Sequence, residues 1–392
     1  MYSKRKISKS SWDVMLMFFV FFTALITPRD TLGLKKISLL IAIIYYFPEI
    51  VKGYKKNVKL FLISILFPFF LYLISVIHIE KIFEPLTFVY FWAYIPLLFP
   101  VLHRNIDIKK IFLYVIDIMT WIIFFSAVLD MTGIIKISQN QLLQWMNMNG
   151  EAQISCSPYA IGYYVLFLKA SPVLLYGLMV SLERKKYIKS LIQFLAVVFT
   201  GTRANIYLAI SIAAFYFIYM EKNKVARIIM FAVSVALCVV YGRNIINKIA
   251  TINWAKSEGD NIRMQNIISI FNAMKEDPIN FFIGMGFASK YYSLGRKAYI
   301  ADSELSYLEM IREIGLIFGS IMLIFLIYPI KSLYKKYKIE CIFWMCYLME
   351  GVLEPFIFTS TGYIVIMYIL CFVIKEVKNE NFICYNSFRR IY

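Results

Sequence analysis

The sequence predicts an all-α polytopic membrane protein, and three observations lead to that fold class. The 392-residue chain is 60% hydrophobic and 18% aromatic, whereas an ordinary soluble domain is about half apolar. Apolar runs recur at roughly 17 to 25 residues, the length that a helix needs to cross a bilayer core. Basic residues are dense in every second connecting segment. We therefore expect a single membrane domain over residues 1–392, without a soluble module.

Twelve apolar runs are predicted to be membrane-spanning helices. Their expected ranges are 12–28, 37–51, 59–77, 85–102, 109–130, 159–182, 188–201, 203–220, 226–242, 305–330, 339–358 and 361–376. The runs at 37–51 and 188–201 are short for a span. A basic start, Lys4-Arg5-Lys6, precedes the first run without a small-residue cleavage site, so this run is interpreted as an uncleaved first helix.

The net charge of +18 could indicate nucleic-acid binding, but the basic residues alternate between successive connecting segments, as in a membrane protein. Alternate segments, from 1–11 to 375–392, hold 26 Lys and Arg residues, whereas the intervening short segments hold 6. Basic loops stay in the cytoplasm. Both termini are therefore expected to be cytoplasmic, and the long loop 243–304, between the ninth and tenth spans, extracytoplasmic. The first outer turn, with Arg29, Lys35 and Lys36, departs from this bias.

The expected outer surface carries charged residues that membrane spanning alone does not require. The long loop contains Arg243, Arg263, Arg296, Asp302 and Glu304. A guanidinium group is always charged and binds phosphate oxygens through two parallel hydrogen bonds. This set indicates a lipid-linked, phosphate-bearing substrate that is handled at the membrane surface.

Each arginine has a functional and an ordinary interpretation. Arg203 follows Gly201 at the start of an outer helix, where backbone N–H groups already favour anions, or it is a boundary arginine that reaches out of the lipid. Arg263 is the leading catalytic candidate, because it can neutralise a leaving phosphate; otherwise it is a solvated helix residue. Arg243 and Arg296 either line the same pyrophosphate-binding surface or add surface charge.

The carboxylates are similarly ambiguous. Asp302 and Glu304 are candidates to orient or deprotonate an acceptor hydroxyl, although Asp302 also suits a helix cap. Four charged residues within or near the spans are candidates for a hydrated cavity, since charge at membrane depth is costly. They are Lys169, Arg312, Glu350 and Glu354. Arg312 also has nearby acidic residues with which it could form a buried pair.

Metal and cofactor chemistry is not expected. The chain has two histidines, His78 and His103, and its six cysteines show neither a zinc-ligand spacing nor a disulfide framework. Asp302 and Glu304 alone would make a thin site for a hard metal ion. The prediction is no metal and no cofactor.

A series of short motifs, in order along the chain, resembles one known group of proteins. The motifs are Thr200–Arg203, Asn261–Arg263, Asp277–Pro278, Ile283–Phe287, Asp302–Leu308 and Glu313–Gly319. Their order within residues 200–320, on about twelve spans with the long loop between spans nine and ten, resembles the O-antigen polymerase (Wzy) and O-antigen ligase superfamily. The resemblance implies a fold like that of the C-type glycosyltransferases (GT-C) and an essential loop arginine at Arg263.

The same resemblance implies a bacterial inner-membrane enzyme that acts on oligosaccharides linked to undecaprenyl pyrophosphate. A polymerase transfers the growing glycan to another carrier-linked unit. Its expected partners are membrane lipid, a chain-length regulator and a flippase. A ligase transfers the glycan to a lipid A core and uses a His before the span after the long loop; this chain has Asp302, Ser303 and Glu304 there. The departure favours polymerase over ligase. A repeat-unit flippase is a further alternative, although it would not need so long an outer loop.

Overall fold

The computed structural model describes residues 11–388 except 28–29, 31, 79–84, 137–139, 150–151, 157–163, 221–260, 302, 304 and 353. The described chain is overwhelmingly helical and has little sheet, which confirms the all-α membrane class. The ninth predicted span, 226–242, lies outside the described residues.

The helices and strands are numbered in chain order. The first part of the chain forms α1 (Ser11–Ile26), α2 (Leu34–Tyr45), α3 (Phe47–Lys56), α4 (Val58–Ile77), α5 (Tyr90–His103), α6 (Ile108–Met131) and α7 (Gln141–Met148). The middle part forms β1 (Ala152–Cys156), β2 (Tyr164–Leu168), α8 (Ser171–Glu183), α9 (Tyr187–Phe199) and α10 (Arg203–Ile218). The last part forms α11 (helical residues 261–275), α12 (Pro278–Ile283), β3 (Tyr291–Ser293), β4 (Ala298–Ile300), α13 (Ser306–Leu333), α14 (Lys338–Glu350) and α15 (Ser360–Phe388).

Three helices, α4, α6 and α13, are long and apolar enough to cross a membrane by length and composition. Five shorter apolar helices, α1, α5, α8, α9 and α10, accompany them. The count of twelve spans stays a prediction.

Three expected spans contain segments that are not helical, and a fourth, 305–330, is interrupted at Gly315. Within 159–182, Tyr164–Leu168 pairs with Ala152–Cys156 as an antiparallel hairpin, and helix begins only at Ser171. The strand Tyr164–Leu168 contains aromatic and β-branched residues, which suit a pleated surface. Pro172 lies in the first turn of the helix that follows. Lys169 therefore lies in a turn and not inside a span.

The other two of these three expected spans are interrupted near a proline or a glycine. The run 37–51 breaks at Tyr46, and Pro48 lies in the first turn of the next helix, α3. The run 339–358 is helical only to Glu350, because Gly351 and the turns up to Thr359 follow. Pro355 in that segment has no N–H with which to continue a helix.

The chain divides into two compact units. One comprises residues 1–115, 269–293 and 298–392, and the other comprises 116–268 and 294–297.

Polar contacts join helices within the first unit. Arg104 donates to Asp13 Oδ1 at 2.6 Å and to Glu49 Oε1 at 2.5 Å, and its guanidinium lies over the rings of Tyr45 and Tyr46. This cluster of contacts connects α1, α2 and α3 with Arg104, the residue that follows α5. Hydrogen bonds of this kind matter between membrane helices, because lipid provides little hydrophobic drive for helix association.

The second unit has its own polar network, which is partly buried. Asp117 on α6 accepts from Lys189 at 2.5 Å and from Gln193 at 3.3 Å, and Gln193 in turn contacts Ser181 on α8. Gly177 allows this approach, since an added Cβ would lie 2.7 Å from the Gln193 amide nitrogen. The network holds α6, α8 and α9 together.

Candidate functional site

The helix start at Arg203 is unusually rich in free hydrogen-bonding groups. Gly201 has φ of 70°, a left-handed conformation that turns the chain between α9 and α10. Thr202 is the residue before the helix, but its side chain does not cap the first-turn N–H groups. Its hydroxyl oxygen is buried and has no hydrogen-bond partner among the described residues. The first-turn N–H groups therefore lack the usual side-chain cap from the preceding residue.

Two further residues shape this helix start. Arg203 is the first helical residue and is exposed. Asn205, three residues after Thr202, is completely buried; its amide nitrogen donates to Ser171 Oγ at 3.1 Å, while its Oδ1 is unpartnered in the described structure. The N-terminus of a helix carries partial positive charge. With the Arg203 guanidinium, the arrangement is suited to an anion such as phosphate.

Arg263 and Arg296 come from segments that contact each other. Arg263 is half-buried in the first described turn of α11, and Arg296 is exposed in the turn between β3 and β4. Gly295 packs on α11, because an added Cβ there would lie 2.6 Å from the carbonyl oxygen of Ile262. The hairpin turn and the start of α11 therefore place two arginine-bearing segments side by side.

Arg312 occupies a closed cluster on α13. Its side chain is fully buried and pairs with Glu309 at 2.6 Å and with Glu313 at 3.6 Å. Other guanidinium hydrogens go to the carbonyl and hydroxyl of Ser289 and, at 2.6 Å, to the carbonyl of Ala301. Hydrogen bonds thus involve four of the five guanidinium N–H groups, and Glu313 adds a longer ion pair.

Tyr291 completes the Arg312 cluster. Its hydroxyl donates to Glu309 Oε1 at 2.8 Å, and the Arg312 guanidinium lies 4.8 Å from its ring centroid. Burial and the Glu309 carboxylate together raise the pKa of Tyr291 above its usual value. The cluster anchors the end of the long loop to α13.

The Gly284-Met285-Gly286 motif closes a break in α13. Gly315 has φ of 76° and ψ of 170°, so the helix is interrupted there. The N–H groups of Met285 and Gly286 donate to the carbonyls of Arg312 and Glu313 at 2.8 and 2.9 Å. The loop thus satisfies carbonyls that the break frees, as non-helical backbone at membrane depth requires.

Glu350, the last residue of α14, is 1% exposed, and neither of its carboxylate oxygens has a hydrogen-bond partner in the described chain. Tyr347, one turn earlier, is completely buried and its hydroxyl is likewise unpartnered. Glu354 acts on Glu350 electrostatically. A buried polar group without partners is uncommon and indicates a function or a missing ligand.

The structure places the remaining sequence candidates as follows. Arg243, Asp302 and Glu304 lie outside the described residues. Lys169 is half-buried in the turn between β2 and α8 and has protein contacts. Sequence reasoning did not single out Thr202, Asn205 or Tyr347. The sequence feature that could have pointed to them is a three-residue spacing, which puts Thr202 with Asn205, and Tyr347 with Glu350, on one helix face.

Comparison with known proteins bears on the segment that contains these arginines. Residues 189–324, roughly a third of the chain, match the family model described as O-antigen ligase. This segment includes Arg203, Arg263, Arg296 and the Arg312 cluster. No curated protein matches the chain. In this segment the chain is similar to the O-antigen ligase family, which supports a place in the O-antigen polymerase and ligase superfamily and a function in surface-polysaccharide biosynthesis.

Proposed function

We propose that this protein is a surface-polysaccharide polymerase of the bacterial inner membrane, with both termini in the cytoplasm. It joins oligosaccharide repeat units, carried on undecaprenyl pyrophosphate, by metal-independent glycosyl transfer on the outer face. The observation that carries the proposal is the uncapped start of α10, where a buried hydroxyl and a helix N-terminus lie next to the exposed Arg203.

The chemistry of transfer explains why such a site is useful. Breaking a glycosyl–pyrophosphate bond leaves negative charge on the departing phosphate. Donors that are fixed before the reaction stabilise that charge without reorganising. We assign pyrophosphate binding to Arg203, Arg263, Arg296 and Arg243, with Arg203 and Arg263 stabilising the leaving group.

The acceptor hydroxyl must lose a proton when it attacks the anomeric carbon. We propose Asp302 or Glu304 for this step, since a carboxylate within hydrogen-bond reach acts as a general base. The family match favours one second candidate function, that of a ligase. The absence of histidine from residues 105–392 supports polymerase over ligase.

The test uses glycan length on gels from cells that carry each variant at matched protein level. Arg203→Ala and Arg263→Ala should each reduce chain extension about 10²–10³-fold, the usual effect of losing one oxyanion donor. Arg263→Lys should restore activity only partly, because an ammonium cannot reproduce the guanidinium fork. Arg296→Ala should have a milder effect. Normal long polymer from Arg263→Ala would remove the main assignment.

A null strain separates the candidate functions. Loss of a polymerase leaves single repeat units on the final product, whereas loss of a ligase leaves finished polymer on the lipid carrier. Loss of a flippase, the third possibility from the sequence, traps units on the cytoplasmic face. Polymer retained on the carrier would move the assignment to ligase.

A further inference from the structure

The end of α14 combines groups that the proposed pyrophosphate site does not use. Glu350 offers two buried carboxylate oxygens and Tyr347 offers a buried hydroxyl, all unpartnered among the described residues. A buried carboxyl group without hydrogen-bond partners costs free energy in either protonation state, and more when it is charged. The carboxylate also lies at the negative end of the helix dipole, where it is least favoured. Stability alone therefore gives no reason to keep a glutamate here.

Aromatic side chains surround this helix end. The Tyr347 ring stacks on Trp344 at 5.8 Å and contacts Phe356 at 4.7 Å, and Phe343 lies 5.7 Å away. These rings are buried against one another in this structure, but an aromatic ring that becomes uncovered offers a flat apolar surface on which the C–H face of a sugar can pack. A carboxylate accepts hydrogen bonds from two neighbouring hydroxyl groups. The combination is therefore suited to a ligand that has both apolar faces and many hydroxyl donors.

The same helix end is fixed to the first turn of α13. Ser306 donates to the Glu354 carbonyl at 2.6 Å, and the Tyr307 hydroxyl donates to the Leu348 carbonyl at 2.9 Å. The first turn of α13 directly follows Asp302 and Glu304, the residues proposed to activate the acceptor. Glu350 is thus held near the point where the long loop ends.

We propose that Glu350 and Tyr347 form a binding site for hydroxyl groups of the acceptor glycan. This inference rests on the proposed function and adds the acceptor side to it. Both side chains have almost no exposure, so glycan binding requires the side chains that cover them to move. Glu350 would accept hydrogen bonds from the sugar, and Tyr347 would donate or accept one.

The experiment compares Glu350→Gln and Tyr347→Phe with the control Tyr307→Phe in the purified full-length protein. Tyr307 is matched to Tyr347, but its hydroxyl already has a structural partner. We expect Glu350→Gln to raise the acceptor KM at least about tenfold, the effect of losing a hydrogen bond to a charged group. The KM for the donor should stay unchanged, and the thermal unfolding midpoint should not fall. Tyr347→Phe should act in the same direction, whereas Tyr307→Phe should lower the midpoint instead.

A direct binding measurement separates this inference from the proposed function. The probe is the carrier-free oligosaccharide repeat unit, titrated by calorimetry, which wild-type protein should bind and Glu350→Gln should bind at least about tenfold more weakly. Equal acceptor KM and equal binding in the variant would overturn the inference while leaving the proposed function intact. So would loss of folding in Glu350→Gln, because it would show a structural role. A wild-type protein that transfers no glycan at all would instead overturn the proposed function.

Discussion

Two arginines of the matched segment occupy opposite environments at the residue scale. Arg312 is fully buried, donates four hydrogen bonds to protein groups and pairs with two glutamates. Arg203 is exposed at a helix start that the side chain of Thr202 does not cap. Both residues are the same type in the same family segment, so only their surroundings distinguish an anchoring role from a ligand-binding one.

Replacing Arg312 should destabilise the folded protein and should not act directly on glycosyl transfer. Arg312→Met leaves Glu309 and Glu313 buried without their cation, which typically costs about 3–5 kcal/mol. We expect a clear fall in the thermal unfolding midpoint in detergent and in the yield of folded protein. The exposed Lys335→Met is the control and should change stability by less than about 0.5 kcal/mol. An unchanged midpoint in Arg312→Met would show that the cluster does not anchor the loop.

Metal independence is the second prediction at this scale. Arginines that neutralise the pyrophosphate make a divalent cation unnecessary for stabilising the leaving group. Transfer by the purified protein should therefore persist in EDTA at the rate seen without it. Activity that disappears in EDTA and returns with Mg²⁺ or Mn²⁺ would contradict this prediction.

At the scale of elements, the break in α13 depends on glycines that face each other. A Cβ at Gly315 would clash with the backbone of Phe282 and Gly284, and a Cβ at Gly284 would clash with the backbone of Glu313 and Gly315. The two segments can approach this closely only without side chains. The break and the loop that closes it are therefore one structural unit, although the glycines lie about thirty residues apart.

Gly315→Ala should be strongly destabilising. The positive φ costs about 1–3 kcal/mol for a residue with a Cβ, and the clash adds about 1–3 kcal/mol. Gly33→Ala is the matched control, since Gly33 has φ of 68° but nothing within 4 Å of an added Cβ. It should cost only the backbone term. The thermal unfolding midpoints of the two variants measure the difference, and equal values would mean that the loop does not need this close approach.

At the scale of the whole molecule, orientation in the membrane rests on the distribution of charge. The first outer turn departs from the bias, but part of its charge is not free. Lys35 is 1% exposed and donates to Ser360 Oγ at 2.8 Å, and the backbone N–H groups of Lys35 and Lys36 donate to Asp30. Packing between α2 and α15 therefore accounts for this lysine.

The predicted orientation can be tested by thiol labelling in a variant without its native cysteines. A cysteine at Tyr299, which is 71% exposed on the β3–β4 hairpin, should react with an impermeant reagent from outside the inner membrane. A cysteine at exposed Lys335, in a basic connecting segment, should react only after the membrane is opened. Reversed labelling of the two sites would invert the predicted topology.

The sequence alone determined the membrane class, most helix positions and the arginines of interest, because these depend on local composition and short spacings. Hydrophobic length reports a helix that must satisfy its own backbone in lipid. It did not reveal the antiparallel pairing of β1 with β2, which takes the place of helix at the start of an apolar run of helical length.

Only the tertiary structure decided how each polar side chain is partnered. Arg312 is held by residues from three separate segments. Glu350 lies on an ordinary apolar helix, yet no described residue donates a hydrogen bond to it. Partnership depends on contacts between residues far apart in the chain, which no local spacing encodes. The fold class could therefore be predicted from residue types, whereas the distinction between an anchored arginine and an unsatisfied site required the packed molecule.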